Sequence, residues 1–79
     1  MSNERGRRRL NNWFPMRLKK LREKRRLSQK TLGELCGLSK NTIGQYERGE
    51  REPTFQALVT IADFFEVSMD YLAGRQRFL

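Results

Sequence analysis

The 79-residue chain contains no histidine and a single cysteine, Cys36. One thiol cannot form an internal disulfide, and without histidine the chain cannot complete a four-ligand zinc site. No serine or threonine is accompanied by a base and an orienting group, as a catalytic nucleophile would need to be. We therefore predict that the chain is not an enzyme and needs no cofactor or metal, and that Cys36 is a small buried apolar residue.

Long apolar runs are also missing from the sequence. No stretch approaches the ~18 residues that a membrane-spanning helix requires, and the charged N-terminal segment lacks the apolar core of a signal peptide. A basic helix with Leu18 and Leu21 could lie on an anionic membrane surface, but the core needs this narrow leucine stripe. We predict a cytoplasmic protein with no membrane partner.

Negative charge is scarce in the first third of the chain. Residues 1–28 contain eleven lysines or arginines against two acids, whereas residues 29–53 contain four of each, and the whole chain carries a net charge of +8. A cationic block this dense indicates a polyanionic partner rather than a merely soluble surface.

Apolar spacing and capping residues predict an all-α domain. Ser28, Ser39 and Thr54 are good N-caps, and Gly37 suits a left-handed position after a helix. The predicted helices cover about 15–25, 29–36, 40–48, 55–65 and 69–73. Helices this short must pack against one another to be stable. The domain assignment is a flexible basic arm over 1–12, a compact domain over 13–74 and a short tail over 75–79.

The third predicted helix, about 40–48, carries an unusual set of polar side chains. Lys40, Asn41, Thr42 and Gln45 are expected on its outer face. Asparagine and glutamine can pair with adenine, lysine with guanine, and a threonine methyl with thymine. Gly44 is also expected to point outward, either to allow close approach to DNA or as a tolerated exposed residue. A short connection containing Gly37 joins this helix to the second, as in a helix-turn-helix.

Several segments carry a family resemblance. The motif that starts at Gln29 has the required small residue at Gly33, glycine at Gly37 and β-branched residue at Ile43. Its flanks are "RLKKLRE" at 17–23, "LSQ" at 27–29, "YERGEREPT" at 46–54 and "LVTIADFFEVSMDYLAG" at 58–74. Over residues 16–74 the chain resembles the lambda repressor and Cro proteins, also called the xenobiotic-response-element family. The resemblance implies a compact five-helix fold in which helices 2 and 3 form the helix-turn-helix.

The resemblance also implies roles for individual residues. An ion pair between Arg22 and Glu47 would link the first helix to the end of the third. The expected base contacts are Lys40, Asn41, Thr42 and Gln45. The expected contacts to the DNA backbone are Gln29, Ser39, Arg48 and Arg51.

The chain departs from the family pattern in three places. Arg26 stands where glycine is common, which implies a strained backbone or an altered turn. Leu35 replaces a residue that is commonly polar, so we expect it to be partly exposed. The longer basic arm could reach the minor groove or simply add nonspecific attraction, and its relevant residues are Arg5, Arg7, Arg8 and Arg9.

These features predict a sequence-specific regulator of transcription that binds double-stranded DNA, with repression favoured. An inverted-repeat operator and a homodimer are expected, because a single domain reads only a few base pairs. The dimer contacts would come from the fifth helix and the tail, through Met69, Tyr71, Phe78 and Leu79. The alternatives are dimerisation only on DNA, or dimerisation through a further C-terminal domain. No small-molecule ligand is evident. The alternative is a protein-interaction or antitoxin-type helical domain whose DNA affinity is mainly nonspecific.

Overall fold

The computed structural model describes residues 13–75, and all regular secondary structure in that range is helical. The helices are α1 (Trp13–Lys24), α2 (Gln29–Cys36), α3 (Lys40–Glu47), α4 (Phe55–Phe65) and α5 (Met69–Leu72). The predicted all-α class and helix order are therefore confirmed. The predicted bounds of α2 and α4 match, while α1 begins at Trp13 rather than at Pro15. The predicted arm over 1–12 and tail residues Phe78 and Leu79 lie outside the described residues.

Four helices begin at a hydroxyl-bearing cap. Ser28, Ser39, Thr54 and Ser68 each have extended backbone angles, and each side-chain oxygen accepts a hydrogen bond from the amide three residues later. The donor–acceptor distances are 2.9–3.0 Å. Because each cap satisfies an amide that has no partner within its helix, it fixes where the chain turns into that helix.

One apolar core joins all five helices. It consists of Phe14, Leu18, Leu32, Ile43, Tyr46, Ala57, Ile61, Ala62, Phe65 and Leu72. The rings of Phe14 and Tyr46 meet edge to face, with centroids 5.4 Å apart. Since Ile43 and Tyr46 bury the inner face of α3, the opposite face of that helix is left at the surface.

Arg17 is buried, although nothing in its sequence position distinguishes it from the other cations of α1. Its guanidinium carbon lies 4.6 Å from the Trp13 ring centroid and 4.2 Å from that of Tyr71. It also donates a hydrogen bond to the backbone carbonyl of Tyr71. The cation therefore ties α1 to α5 instead of facing solvent.

Three side chains differ in burial in ways that bear on the predictions. Leu35 is 56% exposed, as its departure from the family pattern predicted. Phe55 is 72% exposed, although its spacing from Leu58, Ile61, Ala62 and Phe65 predicts that it lies with them on the apolar stripe of α4, so that prediction was wrong. It occupies the first position of α4. Cys36 is half-buried against the core, and burial raises the pKa of its thiol.

Two residues other than glycine adopt left-handed backbone angles, Arg26 and Glu66, each with φ of 58°. The first follows α1 and the second is the C-cap of α4. Of the two alternatives predicted for Arg26, a strained backbone or an altered turn, the structure has the strained backbone. A residue with a Cβ pays roughly 1–2 kcal/mol for this conformation, whereas glycine adopts it readily.

Replacing Arg26 or Glu66 with glycine should therefore stabilise the fold. We expect each change to raise the free energy of unfolding by about 0.5–1 kcal/mol, since part of the relief is lost to the greater freedom of unfolded glycine. Chemical unfolding followed by circular dichroism measures this. Lys20→Gly, within α1, is the matched control and should cost about 1 kcal/mol. A loss of stability in both left-handed variants would contradict the strain argument.

Candidate nucleic-acid interface

The corner between α2 and α3 is built on very close backbone packing. Gly37 takes φ of 72° as the C-cap of α2, and the Leu38 amide donates to the Gly33 carbonyl over 2.7 Å. A Cβ added at Gly33 would lie 2.5 Å from the Leu38 carbonyl oxygen and 3.2 Å from Ser39 backbone atoms. The small residue at position 33 is therefore what lets the turn fold back against α2.

The outward face of α3 presents the polar residues that were predicted to meet bases. Lys40 and Asn41 are exposed, and Thr42 and Gln45 are half-buried. Their positions follow from the burial of Ile43 and Tyr46, which fixes the rotation of the helix about its axis. Whether they contact bases remains a prediction.

Ser39 and Thr42 form a local hydroxyl pair at the start of α3. The two side-chain oxygens lie 2.8 Å apart, and the Thr42 amide donates to the Ser39 oxygen over 3.0 Å. The Ser39 hydroxyl thus already serves as the helix cap. This arrangement holds the Thr42 side chain in one orientation at the edge of the polar face.

A largely buried ion pair joins α1 to the end of α3. Arg22 Nε donates to Glu47 Oε2 over 2.6 Å, and Arg22 Nη2 donates to Glu47 Oε1 over 2.9 Å. The side chains are only 12% and 4% exposed. The hydrogen bond to Glu47 raises the pKa of Arg22 despite the opposing effect of burial. Arg22 Nη1 also donates to the Leu27 carbonyl over 2.7 Å. The Arg22 side chain therefore links α1 to the connection before α2 and to the end of α3.

Gln29 extends this network from the first residue of α2. Its side-chain nitrogen, Nε2, donates a hydrogen bond to Glu47 Oε1 over 3.1 Å. The carboxylate of Glu47 therefore receives hydrogen bonds from both α1 and α2. The ends of three helices are held together at one point, which restricts the tilt of α3 relative to the rest of the domain.

Gly44 is buried, so the expectation that it would point outward was wrong. A Cβ at this position would lie 3.0 Å from Arg48 Nη1 and 3.5 Å from Gln29 Oε1. Two polar side chains from neighbouring segments cover the glycine. Its absent side chain makes room for the Arg48 guanidinium on the surface of α3.

The loop after α3 contains a second ion pair, and sequence analysis missed its acidic member. Arg48 Nε donates to Glu50 Oε2 over 3.0 Å, and Arg48 Nη2 donates to Glu50 Oε1 over 3.1 Å. Both side chains are more than half exposed, at 57% and 54%. Their hydrogen bond lowers the pKa of Glu50 and raises that of Arg48. The feature of the sequence that could have predicted this pair is the acidic residue two positions after Arg48, with a glycine between them.

Arg51 has a weaker partner in the same loop. Its Nη1 donates to the neutral Gln45 Oε1 over 3.4 Å, a long contact. Arg51 therefore keeps its charge available beside the polar face of α3. Arg48 and Arg51 are both predicted to contact the DNA backbone. Of the two, only Arg48 is paired with a carboxylate within the part of the chain that the structure describes.

The remaining predicted site residues are distributed as follows. Met69 and Tyr71 are half-buried on α5, and Tyr71 packs on Arg17. Phe78, Leu79 and the arm residues Arg5, Arg7, Arg8 and Arg9 lie outside the described residues. Within residues 13–75, no group of three or more histidine, cysteine or acidic side chains could hold a metal ion. None of the helices described is both long enough and apolar enough to span a membrane.

A closely packed α2–α3 corner, an outward polar face on α3 and a supporting bundle of three helices define a helix-turn-helix domain. The family model described as Helix-turn-helix matches residues 18–72. The chain belongs to this family, and the resemblance found in the sequence is confirmed.

Solved structures of repressors and controllers share the fold. The P22 c2 repressor in complex with a synthetic operator matches with a TM-score of 0.76 and 32% identity, over 80% of this chain and 96% of that chain. The restriction-modification controller protein C.AhdI from Aeromonas hydrophila matches with a TM-score of 0.71 and 33% identity, over 77% of this chain and 92% of that chain.

Curated relatives are longer than this chain. The HTH-type transcriptional regulator AnsR of Bacillus subtilis is 39% identical over 61 residues, which are 77% of this chain and 53% of AnsR. The chain spans about half the length of the first curated relatives that it matches. The likeness is therefore to the helix-turn-helix part of these regulators.

Proposed function

We propose that this chain binds double-stranded DNA at specific sequences and represses transcription, with α3 entering the major groove. The observation that carries the proposal is the way α3 is held. Its inner face is buried through Ile43 and Tyr46, and its end is fixed by Glu47, while its polar face stays at the surface. A helix that reads bases must present such side chains at a fixed angle. Support for repression comes from the P22 c2 repressor, whose solved structure contains an operator.

In this proposal the polar face of α3 reads base edges. Gln45 and Asn41 have the paired donor and acceptor that adenine requires, and Lys40 can donate to the guanine acceptors. Gln29, Ser39, Arg48 and Arg51 would lie against the sugar-phosphate backbone around that face. Backbone contacts set the position of the protein on DNA, and base contacts set the sequence it prefers.

We further propose that two copies bind an inverted repeat. One α3 covers only a few base pairs, and two half-sites about one helical turn apart would supply the rest of the operator. The contact between copies would involve Met69 and Tyr71 of α5, together with Phe78 and Leu79. Selection of bound sites from a randomised duplex pool tests both points, because a dimer should enrich an inverted repeat.

Gln45→Ala should weaken binding to the selected site by about 1–3 kcal/mol and change binding to random duplexes little. The reason is that a bidentate base contact is lost while every phosphate contact remains. The measurement is a fluorescence-anisotropy titration of both duplexes at several salt concentrations. Because glutamine is neutral, the salt slope should stay that of the unsubstituted protein.

The random duplex and the salt slope serve as internal controls for this variant. A thermal melt by circular dichroism checks that the helices are intact. An equal loss of affinity on both duplexes would contradict direct base reading by Gln45. Failure to enrich any site would instead favour a domain that binds a partner protein and has only nonspecific DNA affinity.

A further inference from the structure

Glu50 places a negative charge beside the surface that we propose meets DNA phosphates. Its carboxylate occupies Nε and Nη2 of Arg48, at 3.0 and 3.1 Å. The remaining terminal nitrogen, Nη1, faces Gly44 on the surface of α3. One edge of the guanidinium is thus occupied by an acid, while Nη1 lies over Gly44.

The pairing geometry is the one that a phosphate group would need. A guanidinium binds carboxylate and phosphate through the same two parallel N–H donors, so the two anions compete for one site. A phosphate can take the paired Nε and Nη2 donors of Arg48 only after Glu50 releases them. Until then the pair contributes no net charge to the attraction of DNA.

We propose that Glu50 acts as an internal competitor for phosphate and weakens the sequence-independent affinity of the protein for DNA. The inference rests on the proposed function, since it concerns the strength of the same DNA contact. Its consequence is that Arg51, paired only with the neutral amide of Gln45, carries more of the phosphate attraction than Arg48 does. Nonspecific binding is almost wholly electrostatic, so removing one cation from it lowers the occupancy of wrong sites.

The chain offers a closely matched control two residues away. Glu52 is exposed in the same loop, and no ion pair to it is formed within residues 13–75. Glu50→Gln and Glu52→Gln remove the same charge from the same loop. Only the first also releases Arg48, so a difference between the two variants isolates the ion pair.

The experiment titrates a short duplex of random sequence with each variant at several salt concentrations. Exposed ion pairs are weak, so we expect Glu50→Gln to bind about two- to fivefold more tightly than Glu52→Gln. Its plot of log affinity against log salt concentration should be steeper by about one unit, for one more phosphate contact. Adding Arg48→Ala to Glu50→Gln should remove this gain, and Arg48→Ala alone should have less effect than Arg51→Ala.

Two results would overturn the inference. One is an equal gain in Glu50→Gln and Glu52→Gln. That result would mean that each glutamate repels phosphate through its charge alone, and that the pairing of Glu50 with Arg48 has no effect. The other is a gain that persists when Arg48 is alanine. Either result leaves the proposed function standing if the unsubstituted protein still selects a site. Absence of any salt-sensitive DNA binding by the unsubstituted protein would instead overturn both.

Discussion

Replacing Glu47 with alanine should lower the free energy of unfolding by about 3 kcal/mol, the lower end of the range for breaking a buried ion pair. The loss arises because Arg22, whose side chain is only 12% exposed, would keep its charge without its carboxylate partner. Gln29 would lose an acceptor at the same time. Chemical unfolding followed by circular dichroism measures the change.

Two further variants separate this effect from a general sensitivity of the segment. Glu50→Ala breaks the exposed pair three residues later and should change stability little, because solvent screens such pairs. Replacing Arg22 with methionine and Glu47 with leucine together should recover most of the stability, since no charge is then left buried without a partner. A loss in Glu47→Ala no larger than that in Glu50→Ala would show that water readily reaches Arg22.

The same set of variants tests what the ion pair does for DNA binding. If the pair fixes the tilt of α3, the double variant should be stable and yet discriminate poorly between the selected and random duplexes. The apolar pair would fill the space without the directional hydrogen bonds that join α1, α2 and α3. Glu47→Ala should therefore lower the stability of the domain, whereas the double variant should keep most of the stability and lose discrimination between the two duplexes.

The helices could be predicted from the sequence because their boundaries are encoded locally. Ser28, Ser39 and Thr54 cap the amides that follow them within three residues, and Gly37 supplies a left-handed angle that few other residues adopt. Neither feature depends on the rest of the fold. The outward face of α3 could be predicted as well, because burying Ile43 and Tyr46 fixes the orientation of the helix about its own axis.

The features that escaped prediction depend on contacts between distant residues. Arg17 looks like any other cation of α1, and its burial requires the ring and carbonyl of Tyr71, which lies 54 residues away. Gly44 is covered by the side chains of Arg48 and Gln29, which come from outside its own helix. Helical spacing gives the direction of a residue but does not say what covers it.

The candidate site was predicted in part. The polar face of α3 was predicted from its side-chain pattern and the Arg22–Glu47 pair from the family resemblance, and the structure forms that pair. Glu50 was missed because the sequence interpretation assigned Arg48 to DNA and sought no partner for it within the chain. Charges two residues apart rarely meet on a helix, but a left-handed Gly49 between them turns the chain so that they do.

Replacing Gly33 with alanine should destabilise the domain by about 3 kcal/mol, near the upper end of the usual cost of overpacking. The added Cβ would lie 2.5 Å from the Leu38 carbonyl oxygen, and its other near neighbours are backbone atoms of Ser39. A side chain could rotate away, but these atoms belong to the turn itself. Relief requires α2 and α3 to separate, which also disturbs the Leu38–Gly33 hydrogen bond. Thermal and chemical unfolding measure the loss.

Gly44→Ala is the matched control, because it makes the same substitution in the other helix of the motif. There the new Cβ would meet the ends of two flexible side chains, with Arg48 Nη1 at 3.0 Å and Gln29 Oε1 at 3.5 Å. Both can shift, and alanine improves helix propensity by about 1 kcal/mol, so stability should hold or rise. Equal losses in the two variants would mean that the side chains over Gly44 are as rigid as backbone. A loss confined to Gly33→Ala would establish the α2–α3 backbone contact as the feature that fixes the angle of the motif.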